Sequence, residues 1–125
     1  MDRAHPMKLA VVDDDNDVRT AVARLLSAMG HHVRVFPSAE DFEAETVVVD
    51  CVILDVRLPG ATGLELRERL RRGSARTPVV LITGNGDRLT LEAAAAVDTP
   101  LITKPFDAAK LTGAIAAAIA AAPRT

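Results

Sequence analysis

Polar side chains follow four apolar runs of this 125-residue chain, at the point where each run ends. The first run is followed by Asp13 and Asp14, and the later runs end at Asp55, Thr83 and Lys104. Carboxylate oxygens suit a divalent cation, whereas a hydroxyl and an ammonium group suit a phosphoryl group. Each residue alone has an ordinary structural explanation, but together they predict a site for a metal ion and a phosphoryl group.

The elements that must position these residues alternate between strands and helices. Short apolar runs predict the strands, and apolar residues at helical spacing predict the helices. The predicted strands are 8–12, 32–36, 51–55, 78–83 and 100–103, and the predicted helices are 17–29, one that Ser38 caps, 64–72, 89–97 and 107–122. This alternation indicates a doubly wound α/β fold, a parallel sheet with helices on both faces. The carboxyl ends of its strands form one edge, so the polar residues should meet there.

Composition restricts the chain to one small domain with a substantial core, since 49% of its residues are hydrophobic. A net charge of −2 gives no basic surface, and the absence of Trp and Tyr leaves few groups for base stacking. We therefore expect no direct nucleic-acid binding by this chain. The single cysteine, Cys51, excludes an internal disulfide, and its apolar neighbours favour a buried, inert thiol.

We expect neither a secretory signal peptide nor a membrane-spanning segment. No apolar stretch precedes the first strand, which disfavours a secretory signal peptide. The longest apolar run, 113–122, is alanine-rich and well short of the ~20 residues that span a bilayer. We expect a cytoplasmic protein with no membrane contact, and Met1 favours a natural amino terminus.

The aspartates after the first strand divide between two roles. Asp15 and Asp17 are good amino-terminal residues for the helix that follows, and we assign them that capping role. Asp13 and Asp14 are interpreted as metal ligands, because Asp55 supplies a third carboxylate and crowded carboxylates repel without a cation. Asp55 can also be a nucleophile that forms an aspartyl phosphate, or a ligand only. The two roles are compatible, with one oxygen for each.

The residues at the fourth and fifth strands are weaker signals. Thr83 taken alone is an ordinary strand residue, although Gly84 after it leaves room for close backbone approach. The segment Gly84-Asn85-Gly86 does not continue as a dinucleotide fingerprint, since Leu89 stands where the third glycine belongs. Lys104 alone would be a solvated lysine, but its place after a strand favours pairing with a carboxylate or phosphate.

The combined pattern resembles the receiver domain of bacterial two-component response regulators. The resemblance is carried by Asp13-Asp14, Asp55 followed by Leu58-Pro59-Gly60 and Gly63, Thr83-Gly84, and Lys104-Pro105-Phe106. It implies a single receiver domain over 1–125, with its core at about 8–122. It also implies a flavodoxin-like five-stranded sheet of order 2-1-3-4-5. The segments 55–60 and 82–87 are similar to the nitrogen-fixation transcriptional regulator (FixJ-like) branch of that family.

The resemblance implies a phosphorelay role. Asp55 would accept a phosphoryl group from the phosphohistidine of a sensor histidine kinase, while Thr83 and Lys104 would hold the phosphoryl oxygens. Phosphorylation would switch a protein-interaction surface, so the chain is expected to be a signalling protein and not an enzyme. Arg57 and Asn85 flank the site and are expected to set the lifetime of the phosphoryl group.

The resemblance also implies Mg²⁺ as the cofactor. Asp14, Asp55 and the backbone carbonyl of Arg57 would ligate the ion, and Asp13 would act on it largely through water. The positive charges of Mg²⁺ and Lys104 would neutralise charge that develops during transfer.

The implied output is a downstream effector or an output domain that this chain does not include. Members of the branch usually carry a C-terminal helix-turn-helix domain. Family members often form homodimers through the fourth helix, fifth strand and fifth helix. Residues 111–123 carry no charge, which is equally consistent with a dimer surface and with an alanine-rich helix that binds no partner. Leu101 stands where many receivers carry an aromatic residue that turns inward on activation. We therefore expect the aromatic half of the switch to be muted, while the movement of Thr83 is retained.

Two other functions compete with a phospho-acceptor switch. A phosphatase of the haloacid-dehalogenase type also uses an aspartate, Mg²⁺, a hydroxyl and a lysine. Its Asp-x-Asp motif continues to Gly-Thr or Val-Thr, a continuation that 13–17 lacks, and no acidic pair follows Lys104. A degenerate receiver that only binds a partner is the weakest reading, since every phosphorylation residue is present.

Overall fold

The computed structural model describes residues 6–45, 48–58, 63–72, 77–84, 92, 99–104 and 106–121. The strands are β1 (Lys8–Val12), β2 (His32–Phe36), β3 (Cys51–Asp55), β4 (Val79–Thr83) and β5 (Leu101–Thr103). The helices are α1 (Asn16–Ala28), α2 (Ala39–Ala44), α3 (Gly63–Arg72) and the C-terminal helix (Ala108–Ala121). The helix predicted over 89–97 lies outside the described residues except at Glu92.

The five strands form one parallel sheet in the order β2-β1-β3-β4-β5. This arrangement confirms the predicted doubly wound, flavodoxin-like topology. The order changes direction between β1 and β3, and that point is where ligands bind in open α/β sheets. The register aligns the carboxyl ends, with Val12 opposite Leu54, Asp55 opposite Ile82, and Thr83 opposite Thr103.

Alternation of side chains along the strands builds two cores, one on each side of the sheet. One core joins Val12 and Leu54 to Phe42 of α2 and Leu66 of α3. The other joins alternate strand residues to α1 and the C-terminal helix, through Leu9, Ile53, Leu26 and Leu111. Because β1, β3 and β4 are covered on both sides, every residue of these strands is buried except Lys8 at the start of β1.

Most element boundaries agree with the predictions to within one residue. Asp15 caps α1 as predicted, with its Oδ1 accepting hydrogen bonds from the N–H groups of Asp17 and Val18 at 2.9 and 3.3 Å. Strands β4 and β5 begin one residue later than predicted, after Pro78 and Pro100. Proline has no N–H to donate, and here each contributes only a carbonyl to the neighbouring strand.

Residues 48–50, which lie just before β3, are not part of a strand. Val48 is 81% exposed, whereas Val49 packs partly against a core. Asp50 anchors the segment to the start of β1, because its Oδ2 accepts from the Lys8 N–H at 2.8 Å and its own N–H donates to the Lys8 carbonyl. Cys51 then begins β3, buried as predicted. Among the helices described, none has the length and apolar character needed to cross a bilayer.

Candidate functional site

The carboxyl edge of the sheet gathers the predicted acidic residues. Asp13 and Asp14 follow β1, and Asp55 is the last residue of the neighbouring β3. One carboxylate oxygen of each of these three residues lies within 4.8 Å of the others. The structure therefore brings together carboxylates that stand some forty positions apart in the sequence.

Asp55 is held by the backbone around the end of β3. Its Oδ1 accepts a hydrogen bond from the Arg57 N–H at 2.9 Å. The next residue, Val56, donates its N–H to the Ile82 carbonyl at 2.9 Å, which ties this turn to β4. The Asp55 side chain is only 10% exposed. One carboxylate oxygen is thus fixed by the main chain, and Oδ2 remains for other partners.

The start of α3 packs directly on the end of β3. The Gly63 N–H donates to the Val56 carbonyl at 3.0 Å. A Cβ on Gly63 would overlap the Asp55 carbonyl oxygen and lie 2.9 Å from the Val56 Cα. Close approach of two backbones therefore requires glycine at position 63. The family resemblance includes this glycine, and the structure supplies its physical reason.

Asp13 carries a fully buried carboxyl group, and one of its oxygens has no hydrogen-bond donor among the described residues. Its Oδ1 accepts a hydrogen bond from the Asp15 N–H at 2.8 Å, whereas Oδ2 accepts none among the described residues. Burial raises the pKa of Asp13 to about 6; Asp55 adds to the rise, and the Asp15 hydrogen bond and Lys104 oppose it. A buried carboxylate oxygen without a donor is costly, so this atom favours a bound cation.

Asp14 differs from Asp13 in its exposure. Its side chain faces solvent and makes no hydrogen bond or ion pair within the part of the chain that the structure describes. Its place in the acidic cluster therefore depends on the backbone of Asp13 and Asp15 on either side. The sequence presents two equivalent aspartates, and the structure makes one buried and the other open.

Lys104 extends towards both buried carboxylates. Its Nζ lies 3.6 Å from Asp13 Oδ2 and 3.8 Å from Asp55 Oδ2, distances of ion pairs and not of hydrogen bonds. The Lys104 backbone N–H donates to the Thr83 carbonyl at 2.9 Å, which fixes the lysine at the end of β5. A single ammonium cannot neutralise the carboxylates of Asp13, Asp14 and Asp55, so the cluster retains negative charge.

Thr83 and Gly84 complete the described part of the site. Thr83 ends β4 with its side chain buried, opposite Thr103, which precedes Lys104. A Cβ on Gly84 would lie 3.5 Å from the Lys104 Cδ and 3.8 Å from its Nζ, which is ordinary contact. No clash therefore demands glycine here, but a larger side chain would cover the lysine. Asn85, predicted to influence the site, lies outside the described residues.

The donor set fits a hard divalent cation. Carboxylate oxygens are the ligands that Mg²⁺ and Ca²⁺ prefer, and the cluster offers one from each of three residues. The unsatisfied Oδ2 of Asp13 gains a partner when a cation binds, and the charge of the cation opposes the rise in the pKa of this residue. The residues present are consistent with a receiver metal site.

Arg19 contacts the site and was not predicted from the sequence. Its Nη1 donates to the Asp13 carbonyl at 2.7 Å, and its Nη2 donates to the Asn16 Oδ1 at 2.8 Å. The only signal in the sequence is the helical spacing of three residues between Asn16 and Arg19. That spacing occurs in every helix, so it could not single out this arginine.

Comparison with known proteins relates most of the chain to one family. A family model described as the response regulator receiver domain matches residues 9–116. The response regulator protein TodT of Pseudomonas putida is 36% identical over 117 residues, which are 91% of this chain and 52% of that protein. The transcriptional regulatory protein FixJ of Azorhizobium caulinodans is 38% identical over 112 residues, 87% of this chain and 53% of that protein. The chain spans about half the length of these relatives.

Solved structures share the fold as well. The structure described as the BeF3-activated DrrB receiver domain, from Thermotoga maritima, is 30% identical, with a TM-score of 0.78. The match covers 90% of this chain and 96% of that one. That protein is therefore similar to this chain over nearly the whole length of both.

Proposed function

This chain belongs to the response regulator receiver domain family, and we propose that Asp55 is the residue that accepts the phosphoryl group. Receiver domains are signalling domains that serve two-component systems, with a histidine kinase as partner. Membership favours this class over phosphatases of the haloacid-dehalogenase type. The proposed donor is the phosphohistidine of a sensor histidine kinase, and the proposed result is an altered interaction surface.

The observation that carries the proposal is the environment of Asp55. Its Oδ1 is held by the Arg57 N–H, and Lys104 lies 3.8 Å from its Oδ2. A nucleophile must be oriented, and its reaction must have positive charge nearby, since phosphoryl transfer depends chiefly on positioning and electrostatics. Asp55 meets both conditions, and its carboxylate can form the aspartyl phosphate directly.

Mg²⁺ is the proposed cofactor. Asp14, Asp55 and the carbonyl of Arg57 are its proposed ligands, with Asp13 acting largely through water. When bound, Mg²⁺ supplies positive charge beside the phosphoryl oxygens and offsets the repulsion among the carboxylates. The chain's own contribution is to hold the carboxylates at one edge of the sheet before the ion arrives, which the spacing within 4.8 Å supports.

Thr83 and Lys104 are proposed to hold the phosphoryl oxygens. The hydroxyl of Thr83 can donate one hydrogen bond, and Lys104 supplies a point charge. In the absence of a phosphoryl group, Lys104 pairs with Asp13 and Asp55. Phosphorylation of Asp55 therefore gives the ammonium group a more strongly charged partner and provides a physical reason for movement at β5.

The placement of the chain in a whole protein is also a proposal. We infer a single receiver domain over 1–125, with its core at about 8–122, that acts in the cytoplasm. Similarity to the transcriptional regulatory protein FixJ supports a transcriptional-regulator branch, and we favour the nitrogen-fixation one. The output is then either a downstream effector or an output domain joined to this receiver. DNA contact belongs to that output and not to the receiver itself.

We propose that two copies of the chain form a homodimer through a surface made of the fourth helix, β5 and the C-terminal helix. Ile115 of the C-terminal helix is buried, whereas Ile119 is 39% exposed, and the helix carries no charge after Lys110. Leu101 in β5 packs partly against the core, at the position where many receivers carry an aromatic switch residue. We expect Leu101→Phe to increase the dependence of partner binding on phosphorylation; equal dependence in both proteins would count against a muted switch.

Intact-protein mass spectrometry after incubation with acetyl phosphate and Mg²⁺ tests the proposed acceptor. We expect one added phosphoryl group on the native chain, and none on Asp55→Asn or when Mg²⁺ is removed by chelation. The substitution is nearly isosteric, so a matching circular dichroism spectrum shows that the fold is unchanged. Full incorporation into Asp55→Asn would overturn the assignment of Asp55. A native chain that stays unmodified with both acetyl phosphate and a phosphorylated kinase would instead support a binding module.

A further inference from the structure

The loop between β1 and α1 carries two of the three aspartates of the site, and one arginine side chain spans this loop. We propose that Arg19 is a positioning residue, one that holds this loop in the geometry that binds the divalent cation. The inference rests on the metal site of the proposed function. It adds a residue that lies outside the acceptor, the ligands and the phosphoryl-binding groups.

The contacts of Arg19 are to the main chain of the loop and to the start of α1. Nη1 donates to the Asp13 carbonyl at 2.7 Å, and Nη2 donates to the Asn16 Oδ1 at 2.8 Å. The Arg19 backbone N–H also donates to the Asp15 carbonyl at 2.9 Å. A planar guanidinium can satisfy two acceptors at fixed separation, so it sets the distance between them. Arg19 therefore ties the end of β1 to the first turn of α1.

The carbonyl of Asp13 needs such a partner. The paired residues of β1 end at Val12, and Asp13 donates its own N–H to the Phe36 carbonyl at 3.1 Å. A carbonyl just beyond a buried strand must find a hydrogen bond away from the sheet ladder. The guanidinium of Arg19 supplies it, which fixes the peptide plane between Asp13 and Asp14.

Asp14 is the ligand that depends most on this arrangement. Its exposed carboxylate makes no hydrogen bond or ion pair within the described ranges, so its place comes from the backbone on both sides. Arg19 binds the carbonyl before Asp14 through its side chain and the carbonyl of Asp15 through its N–H. Release of the guanidinium leaves the first of these carbonyls free, and the Asp14 side chain then samples orientations away from the cluster.

A positioning role for Arg19 can be distinguished from a purely electrostatic effect of its positive charge on cation binding. Removal of a cation beside an acidic cluster should strengthen binding of a divalent cation, because less repulsion opposes the ion. Loss of the Arg19 hydrogen bonds to the loop, which we call the clamp, should weaken binding of the cation, because the ligands must then be ordered when the ion binds. The two explanations predict opposite signs for the same substitution.

Isothermal titration calorimetry of Mg²⁺ into the phosphate-free protein measures whether the substitution weakens or strengthens Mg²⁺ binding. We expect Arg19→Gln to bind Mg²⁺ about 10- to 100-fold more weakly, the range found for groups that orient metal ligands. Arg19→Lys keeps the charge but offers one point donor in place of a fork, so it should show a smaller loss. Binding of Mg²⁺ by Arg19→Gln as tight as, or tighter than, that of the native chain would overturn the proposal.

Arg24→Gln is the matched control. Arg24 lies on the same helix and lines the same surface groove as Arg19, but it is exposed and makes no hydrogen bond or ion pair among the residues described. Its substitution removes the same charge without touching the loop. We expect unchanged or slightly tighter Mg²⁺ binding, and a loss equal to that of Arg19→Gln would show that the effect is not specific to the clamp.

Amide hydrogen exchange in metal-free protein separates this proposal from the metal site itself. The Asp15 N–H is held by the Asp13 Oδ1, so loosening of the loop should speed its exchange at least several-fold in Arg19→Gln and not in Arg24→Gln. Unchanged exchange would contradict the clamp. If the native chain binds no Mg²⁺, the proposed metal site fails, but the exchange measurement still decides whether Arg19 orders the loop.

Discussion

The two ends of β3 each carry a buried ionisable side chain, and the two differ in every other respect. Cys51 at the amino end is surrounded by apolar residues, and burial raises the pKa of its thiol to about 12. Asp55 at the carboxyl end accepts a hydrogen bond from Arg57 and lies near Lys104. The first group stays neutral and inert; the second is provided with the partners that a carboxylate needs.

The difference comes from the topology of a parallel sheet. At the carboxyl edge, each strand leads into a loop, and the loops bring polar groups from several strands to one place. The partners of Asp55 come from the turn after β3 and from the end of β5. At the amino end of β3, the neighbours of Cys51 are core residues of β1 and the helices. Position along the strand, more than burial, separates a reactive group from a packing group.

Removal of the ionisable group at each end of β3 should show the largest difference between the two ends. Cys51→Ala should retain full labelling by acetyl phosphate, whereas Asp55→Asn should lose it. The cysteine substitution removes only a small buried group, so we expect it to lower the free energy of unfolding by about 1 kcal/mol. Intact mass after a fixed incubation measures labelling. Loss of labelling in a folded Cys51→Ala protein would refute the division between the two ends.

Removal of the cation at the carboxyl end should have the next largest effect. Lys104→Ala leaves Asp55 in place but removes the positive charge shared by Asp13 and Asp55. We expect labelling to continue at a rate lower by about tenfold or more, with a greatly reduced conformational response. A time course of intact mass gives the rate, and NMR chemical-shift changes report the response. Shift changes as large as those of the native chain would contradict the proposed role of the lysine.

The packing of α3 on the carboxyl end offers a third test. Gly63→Ala places a Cβ against the Asp55 carbonyl oxygen, so the backbone must move. We expect the free energy of unfolding to fall by about 1–3 kcal/mol, as for other overpacked sites. Urea unfolding followed by circular dichroism suits a chain that has neither Trp nor Tyr.

Gly113→Ala is the control for that substitution. Gly113 lies in the C-terminal helix, and a Cβ there meets nothing within 4 Å. Alanine is the better helix former, so this change should leave stability unchanged or raise it by up to about 1 kcal/mol. Equal stability of the two variants would show that position 63 tolerates a side chain after all.

The smallest expected effect is the pH dependence of the free energy of unfolding of the metal-free protein, to which Asp13 at the carboxyl edge contributes. Burial raises the pKa of Asp13 in the folded chain to about 6, above its value of about 3.9 when unfolded. Between these values the folded state binds more protons, so stability falls as the pH rises through 6. We expect the contribution of Asp13 to stabilise the protein by about 1 kcal/mol more at pH 5 than at pH 7.5.

Asp13→Asn isolates that contribution. The variant should lose the Asp13 part of the pH dependence, which the difference between its urea midpoints and those of the native chain measures in chelating buffer. At pH 7.5, Mg²⁺ should stabilise the native chain, because the ion offsets the charge of the buried carboxylate. Identical pH profiles for the two proteins would show that Asp13 titrates normally.

Much of the site was predictable because its residues stand at the ends of strands that the sequence marks clearly. The runs at 8–12, 32–36 and 51–55 form β1, β2 and β3 with the predicted bounds. The apolar, β-branched composition of 9–12 and 51–54 leaves few alternatives to a buried parallel strand, whereas β2 is an edge strand and largely exposed. Once the strands were placed, the topology of a parallel sheet brought Asp13, Asp14 and Asp55 to one edge. Apolar composition alone is not sufficient, however, since Val48 just before β3 is 81% exposed.

The sequence by itself thus determined the order of the elements, their parallel arrangement and the identity of the acidic cluster, because these follow from local periodicity and chain direction. The strand order was expected from the family resemblance. The tertiary structure alone decided that Asp13 is buried and Asp14 open, that Gly63 touches the end of β3, and that Arg19 spans the loop of β1. Each of these depends on distances between atoms of separate elements. Such distances are set by how the helices pack on the sheet, which no spacing within one segment encodes.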